Sequence, residues 1–301
     1  MELLDWIKEQ YQWRDVEFVN EAIIETEHGR KRICSWKDKS LLEWHTTWRD
    51  RCSVTPHLLM NRMIRNKDQQ SFVEWKDGWL TAHDEPTDIF PQQGEEVIWG
   101  ALLSTMIQEG KKVELAGAKL RDHNPSLEER EDVLNALEIE DKDLVFSCLM
   151  EAKIRQKKAA LLREMNHDET LPFFVPISSP QQAKQVFDVF IWCGTDEPPE
   201  KSYQPLRTFL GDWLYQHGQA SVEDLLNSMY DHGGLTKEQG LLLLAECLEP
   251  TELRRLTSDR GANEKHVTSE EVRAFMKEWN QTKQLVGVLS GWLDKKKKVL
   301  T

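Results

Sequence analysis

Asp212 and Asp224 stand twelve residues apart in the stretch LGDWLYQHGQASVEDLLNSMYDHGGLTKEQGLLLLAECLEP, residues 210–250. An aspartate that starts an Asp–aromatic turn can hold magnesium on nucleotide phosphates. A second carboxylate, in a His-x-Asp loop, orients the acceptor hydroxyl. Asp212-Trp213 has the first pattern. Asp224-Leu225 opens a helix after a variable loop, and Thr236-Lys237-Glu238-Gln239 caps a Leu-rich helix that stops at Glu249-Pro250. Lys37 is the one candidate for a phosphate-anchoring lysine, with Glu43 as its counter-ion.

Each of these residues also has an ordinary role. Asp212 suits a turn that caps its neighbours, and Asp224, three residues after Ser221, completes a capping pattern. Lys37 reads equally as a surface charge and Glu43 as a capping-box carboxylate. His217 and His232 are lone loop histidines beside glycines and are not read as ligands. The run GTDEPPEKSYQPLRTFLG, residues 194–211, contains no His-x-Asp followed by Asn, so the base of the reaction is missing. No Gly-x-Gly-x-x-Gly loop is present either, and Gly29 stands alone between the first candidate strands. A Walker loop, a GxSxG elbow, HExxH, an EF-hand and a zinc knuckle are all absent from the sequence.

The elements that would position these residues follow from periodicity and caps. A short helix spans Leu3 to Gln10, a half-buried strand Val16 to Thr26, a turn His28-Gly29 and a return strand Arg32 to Trp36. Ser40-Leu41-Leu42-Glu43 forms a capping box, with Leu41, Trp44, His45 and Trp48 on one face behind it. Strands at Leu58 to Ile64, Ser71 to Trp75 and Trp79 to Ala82 follow, the last two joined at Lys76-Asp77-Gly78. Residues 84–93 are acidic and Pro-rich and read as a linker. Beyond it helices are expected at Gly94 to Glu109, from Ser126 to about Leu137, from Asp143 to Met165, after Ser179-Pro180-Gln181-Gln182, and from Ser269 to Trp292. The helix after Ser179 carries Ala183, Val186, Phe187, Phe190 and Ile191 as core. Lys153, Arg155, Lys157, Lys158 and Arg163 on the long helix read as a solvated basic face.

Composition bounds the rest. With 301 residues and 39% apolar content the chain can form a core, and its formal charge of −13 argues against a general nucleic-acid binder. No window approaches the apolar length of a membrane span, and MELLDWIKEQ has no signal-peptide character, so an intracellular site is expected. The five cysteines are odd in number and widely spaced, which predicts free buried thiols. Eight of twelve tryptophans precede residue 100, which fits either an aromatic-rich first lobe or an exposed docking surface.

With these residues in view, the chain resembles the spore-coat-associated kinase-like family of endospore-forming bacteria, divergent relatives of aminoglycoside and choline phosphotransferases. Asp212-Trp213-Leu214-Tyr215-Gln216-His217 carries the resemblance, together with the order of strands, helix, strand meander, acidic hinge and helices. It implies an α+β, two-lobe protein-kinase-like fold: a small antiparallel β lobe with one helix over residues 1–84, a hinge at 85–93 and a mainly helical lobe over 94–301. It further implies Asp212 as the relic of a magnesium ligand, Lys37 and Glu43 as the nucleotide-side pair, and ATP with magnesium as cofactors if activity is retained. The missing base points instead to a pseudoenzyme without cofactor, a binding or assembly component whose partners are other proteins such as spore-coat components, cytoplasmic and deposited in the coat. Two further readings stay open. One is an active small-molecule phosphotransferase using Asp196 or Glu200 as base; the other is a helical interaction protein with no kinase ancestry.

Overall fold

The computed structural model describes residues 2–53, 58–115, 127–177, 182–186, 189–257 and 266–299. In chain order the first stretch runs α1 (Leu3–Tyr11), β1 (Val16–Phe18), β2 (Ile23–Thr26), β3 (Lys31–Trp36) and α2 (Lys39–Cys52). It continues through β4 (Leu58–Met60), β5 (Val73–Trp75), β6 (Gly78–Asp84), β7 (Asp88–Ile89) and α3 (Glu96–Gly110). Next come α4 (Leu127–Ala136), β8 (Glu138–Ile139), α5 (Lys142–Met165), β9 (Phe173–Phe174), β10 (Ala183–Val186) and β11 (Val189–Trp192). The last stretch holds β12 (Glu200–Lys201), α6 (Gln204–Asp231), α7 (Lys237–Leu248), α8 (Arg254–Thr257), β13 (His266–Val267) and α9 (Ser269–Val299). Two compact units emerge: Met1–Ala118 with Pro172–Pro199, and Lys119–Leu171 with Glu200–Thr301.

The first unit is built on a five-stranded antiparallel sheet in the order β1-β2-β3-β6-β5. Period-two alternation sorts β6 between two cores. Leu80 and Ala82 pack with Ile7, Tyr11, Trp13 and Ile24 on the α1 side, while Thr81 and His83 are buried on the other. The stretch from Val16 to Thr26 is two strands, not one. The Asn20 side chain accepts from the Ala22 and Ile23 amides and folds the chain back between them. Of the eight early tryptophans, Trp13, Trp36, Trp44, Trp48 and Trp99 are buried and the other three half-buried, so they form core and not an exposed surface.

Two further expectations fail in this unit. Leu58–Met60 leaves the meander and lies parallel to β11 in a second, four-stranded sheet, order β4-β11-β10-β7. The helix expected after Ser179 is instead the β10–β11 hairpin, with Ala183 opposite Trp192. Its apolar residues recur at helical spacing, but Val, Phe, Ile and Trp suit a strand pairing buried on both faces, and tertiary pairing overrides the local pattern. The cap at Ser179-Pro180-Gln181 and the side chain of Phe187 lie outside the described residues, as does the cap at Ser126.

The second unit is helical. α7 packs against α5 and α9, and α6 against α9. Thr236 caps α7 by accepting from the Gln239 amide at 3.2 Å, as the sequence predicts. A core of Leu134, Val145, Leu149, Leu253, Phe275 and Trp279 joins α4, α5 and α9.

Candidate functional site

In the first unit β3, α2, β6 and the segment after β11 meet around a cavity of about 620 Å³, lined by Arg32, Arg49, Glu85, Lys184, Cys193 and Asp196 among others. Its charges are arranged by the strands. Arg32 on β3 reaches Glu85 just past the end of β6 with two parallel bonds, Nε at 2.8 Å and Nη2 at 2.9 Å. Lys31, one residue earlier and on the other face, is buried and donates to Asp84 at 2.6 Å.

α2 supplies the opposite wall. Asp38 caps it, accepting from the Ser40 and Leu41 amides, so the helix starts before the capping box that the sequence suggests. Trp44, His45, Trp48 and Arg49 are its buried face. Arg49 donates from Nη2 to Thr195 O at 2.6 Å and from Nη1 to Asn61 O at 3.3 Å, and burial pulls its pKa down to about 10. Its Nε has no hydrogen-bond partner among the described residues.

A chain of bonds fixes the neutral histidines beside it. The Trp36 indole can only donate, so Thr81 Oγ1 accepts from it at 2.9 Å and donates to His83 Nε2 at 2.8 Å. His83 Nδ1 is therefore the protonated nitrogen and donates to Asn61 O at 3.0 Å. His45 donates from Nε2 to Glu197 O at 3.0 Å, leaving Nδ1 as a buried lone pair with no partner among the described residues. Burial first, then the Arg49 charge, lowers both histidines to about 3.

All five cysteines are free, as expected. Cys52, Cys148 and Cys247 are buried, while Cys34 and Cys193 are half-buried at the cavity, where burial raises both thiols, Cys193 to about 12.

Of the sequence-predicted site residues, Lys37 and Glu43 lie in the first unit and Asp212 in the second. Lys37 is exposed in the turn between β3 and α2. Glu43 points to solvent and meets Lys39 at 3.9 Å, one helical turn away. Asp212 belongs to the second unit and lies inside α6, not at a turn: α6 runs on both sides of it and breaks only at Gly218, with φ 81° and ψ 177°. Trp213, one residue on, is buried and donates its indole Nε1–H to Ser221 Oγ at 2.8 Å across that break. Asp212 faces a cavity of about 550 Å³ with Thr208, Tyr215, Lys277 and Gln281, and partial burial raises its carboxyl pKa. Glu200 accepts from Ser202 Oγ at 3.3 Å. Among the described residues no three His, Cys, Asp or Glu side chains gather in a metal-holding group, and no helix is long and apolar enough to cross a membrane.

A magnesium nucleotide held as in kinases needs a lysine on the third strand paired with a glutamate on the following helix. The residues here do not fit that clamp. The β3 cations are already matched to Asp84 and Glu85, and the charge that α2 buries is the guanidinium of Arg49. What the sequence missed was Arg49. Its position one residue after Trp48, on the inward face of a helix with His45, was the available signal.

The fold has known counterparts. The chain is similar to an aminoglycoside phosphotransferase from Alicyclobacillus acidocaldarius at 10% identity and TM-score 0.64, over 95% of this chain and 94% of that one. It is similar to a spectinomycin phosphotransferase solved with ADP and spectinomycin at 13% identity and TM-score 0.52, over 96% and 97% of the two chains. No family model and no curated protein matches the sequence. The chain has the aminoglycoside phosphotransferase kinase-like fold, with a small antiparallel-sheet lobe and a helical lobe.

Proposed function

We propose that this protein is a kinase-like pseudoenzyme that has exchanged phosphoryl transfer for binding, a protein-assembly component in the cytoplasm whose setting, by its resemblance, is the spore coat. One observation carries the reading: the buried charge that α2 presents is Arg49, a cation held by two carbonyls, where a working kinase presents a glutamate to the strand lysine. Glu43 is turned outward toward Lys39 and Lys37 is exposed, which supports the reading that neither clamps phosphate. The absence of a His-x-Asp loop in residues 194–211 supports the same conclusion from the sequence.

The test is nucleotide binding by thermal shift. ATP with magnesium is expected to leave the melting temperature unchanged. A magnesium-dependent rise that Asp212→Asn abolishes would contradict the pseudoenzyme reading.

A second reading, an atypical small-molecule phosphotransferase, is favoured by Asp196, which lines the cavity with Arg32, Arg49 and Lys184. In that case ATP would be turned over with an amino-sugar or choline-like acceptor, and Asp196→Asn would stop turnover without removing the fold. The five-stranded sheet speaks against the third reading, a helical protein with no kinase ancestry.

A further inference from the structure

The basic helix α5 is only in part the solvated face that its charges suggest: Lys157 and Lys158 are exposed, but the others are engaged. Arg155 is buried against the Trp279 ring, Lys153 meets Glu131 and Arg163 meets Glu246 and Glu249. The outward side instead shows Met150, Ile154, Leu161 and Met165, exposed by 60, 59, 58 and 76%. At about 100° per residue these four fall within about 60° of each other around the helix. Met150 and Leu161 are eleven residues apart, as are Ile154 and Met165, a spacing that keeps the row straight along the axis. A continuous row of large apolar side chains on one helix face is the mark of an interaction site, unlike scattered exposed ones.

Charge selects the occupant. Lys157 and Lys158 are exposed, flank the middle of the row on its two sides and make no ion pair among the described residues, while the exposed carboxylates of this side, Asp143 and Glu164, stand at its two ends. The midpoint of the row, between Met150 and Met165, falls between these two lysines. A two-fold pairing of α5 with a second copy would bring four ammonium groups together at the axis, which opposes self-association. An anionic membrane would have to accept a chain of formal charge −13. A helix that offers an apolar stripe with carboxylates on its flanks sets its few charges within a Debye length of the two lysines and presents no extended anionic surface to the rest of the chain. We infer that the outward face of α5 docks an acidic amphipathic helix of a partner protein. This holds whether or not nucleotide is turned over.

The probe is a fluorescein-labelled helical peptide with leucines at i, i+4 and i+11 flanked by glutamates, read by anisotropy against its lysine-flanked counterpart. The full chain is expected to bind the acidic peptide and not the basic one. Lys157→Glu with Lys158→Glu weakens acidic-peptide binding by about tenfold and admits the basic peptide. Ile154→Gln with Leu161→Gln abolishes binding while circular dichroism and melting temperature stay unchanged, because both side chains are more than half exposed. The inference is overturned by no binding of the acidic peptide or by equal binding of both peptides. Concentration-dependent dimerisation, or adsorption to phosphatidylglycerol vesicles, that the Ile154→Gln/Leu161→Gln variant loses overturns it too, assigning the face to a second copy or to lipid.

Discussion

Arg49 on α2 donates to the carbonyl of Thr195 at 2.6 Å, tying a helix to the segment that follows β11 within one unit. The guanidinium is 3% exposed and has carbonyl acceptors at both Nη atoms. Replacing it with Met keeps volume but leaves the Thr195 carbonyl without its donor. Arg49→Met is expected to lower stability by about 1–3 kcal/mol, seen as a reduced urea midpoint at unchanged slope.

His45 and His83 give the fold a sensitivity to acid. Both are neutral when folded, with pKa values lowered from 6.5 to about 3, first by burial and then by Arg49. The unfolded imidazoles take up protons below about pH 6.5 and the folded ones do not until about pH 3. Their contribution is therefore complete above 6.5 and is lost as pH falls through that window, each steepening the slope by up to about 1.4 kcal/mol per pH unit. Urea unfolding between pH 7 and 4 reads this directly, and His45→Phe is expected to remove about half of the excess slope.

Gly110 ends α3 where a Cβ would collide with the backbone carbonyl of Phe173. Backbone cannot step aside as a flexible side chain can. Gly110→Ala should cost about 1–3 kcal/mol by thermal denaturation, whereas Gly211→Ala, with open space around the added methyl, should be neutral or stabilising.

Gly218 sits at φ 81° and ψ 177°, a region open essentially to glycine alone. Gly218→Ala is expected to cost about 1–3 kcal/mol. Trp213→Phe keeps the ring in the core but leaves Ser221 without the indole donor, for a smaller loss of about 1 kcal/mol. The near-ultraviolet circular dichroism of Trp213 should change in the Gly218 variant if the break sets its position.

Glu252 is fully buried between Arg155 and Arg207, accepting at 3.4 and 2.9 Å on one carboxylate oxygen. Glu252→Ala would leave two buried guanidiniums without their counter-charge and should cost about 3–5 kcal/mol. Exchanging all three residues for apolar ones of similar size should cost far less. A melting temperature for the triple exchange as low as that of Glu252→Ala would show that the charges themselves hold these helices.

Much of the fold was legible because local signals and tertiary needs agreed. The His28-Gly29 turn, the Lys76-Asp77-Gly78 hairpin and the Thr236 cap are chosen by short-range chemistry, and the structure keeps each of them. Where the two conflicted, the sequence misled. Ala183, Val186, Phe190 and Ile191 repeat at helical spacing yet pair as strands, because β4 and β7 offer the hairpin edges to bond that no local pattern records. The Asp212-Trp213 pair looked like a metal turn, but the chain stays helical through it and bends only where Gly218 permits.

The sequence by itself determined the short turns and helix caps, the free cysteines and the lack of a His-x-Asp loop, since each depends on residue identity or on neighbours close in the chain. Only the tertiary structure decided which charges are buried. Lys37, Glu43 and Arg155 are indistinguishable as solvated ions in a string of letters, and only helical spacing hints at Arg49. Burial depends on which helix face meets which sheet, and that turned Arg49 and Arg155 inward and left Lys37 and Glu43 in water.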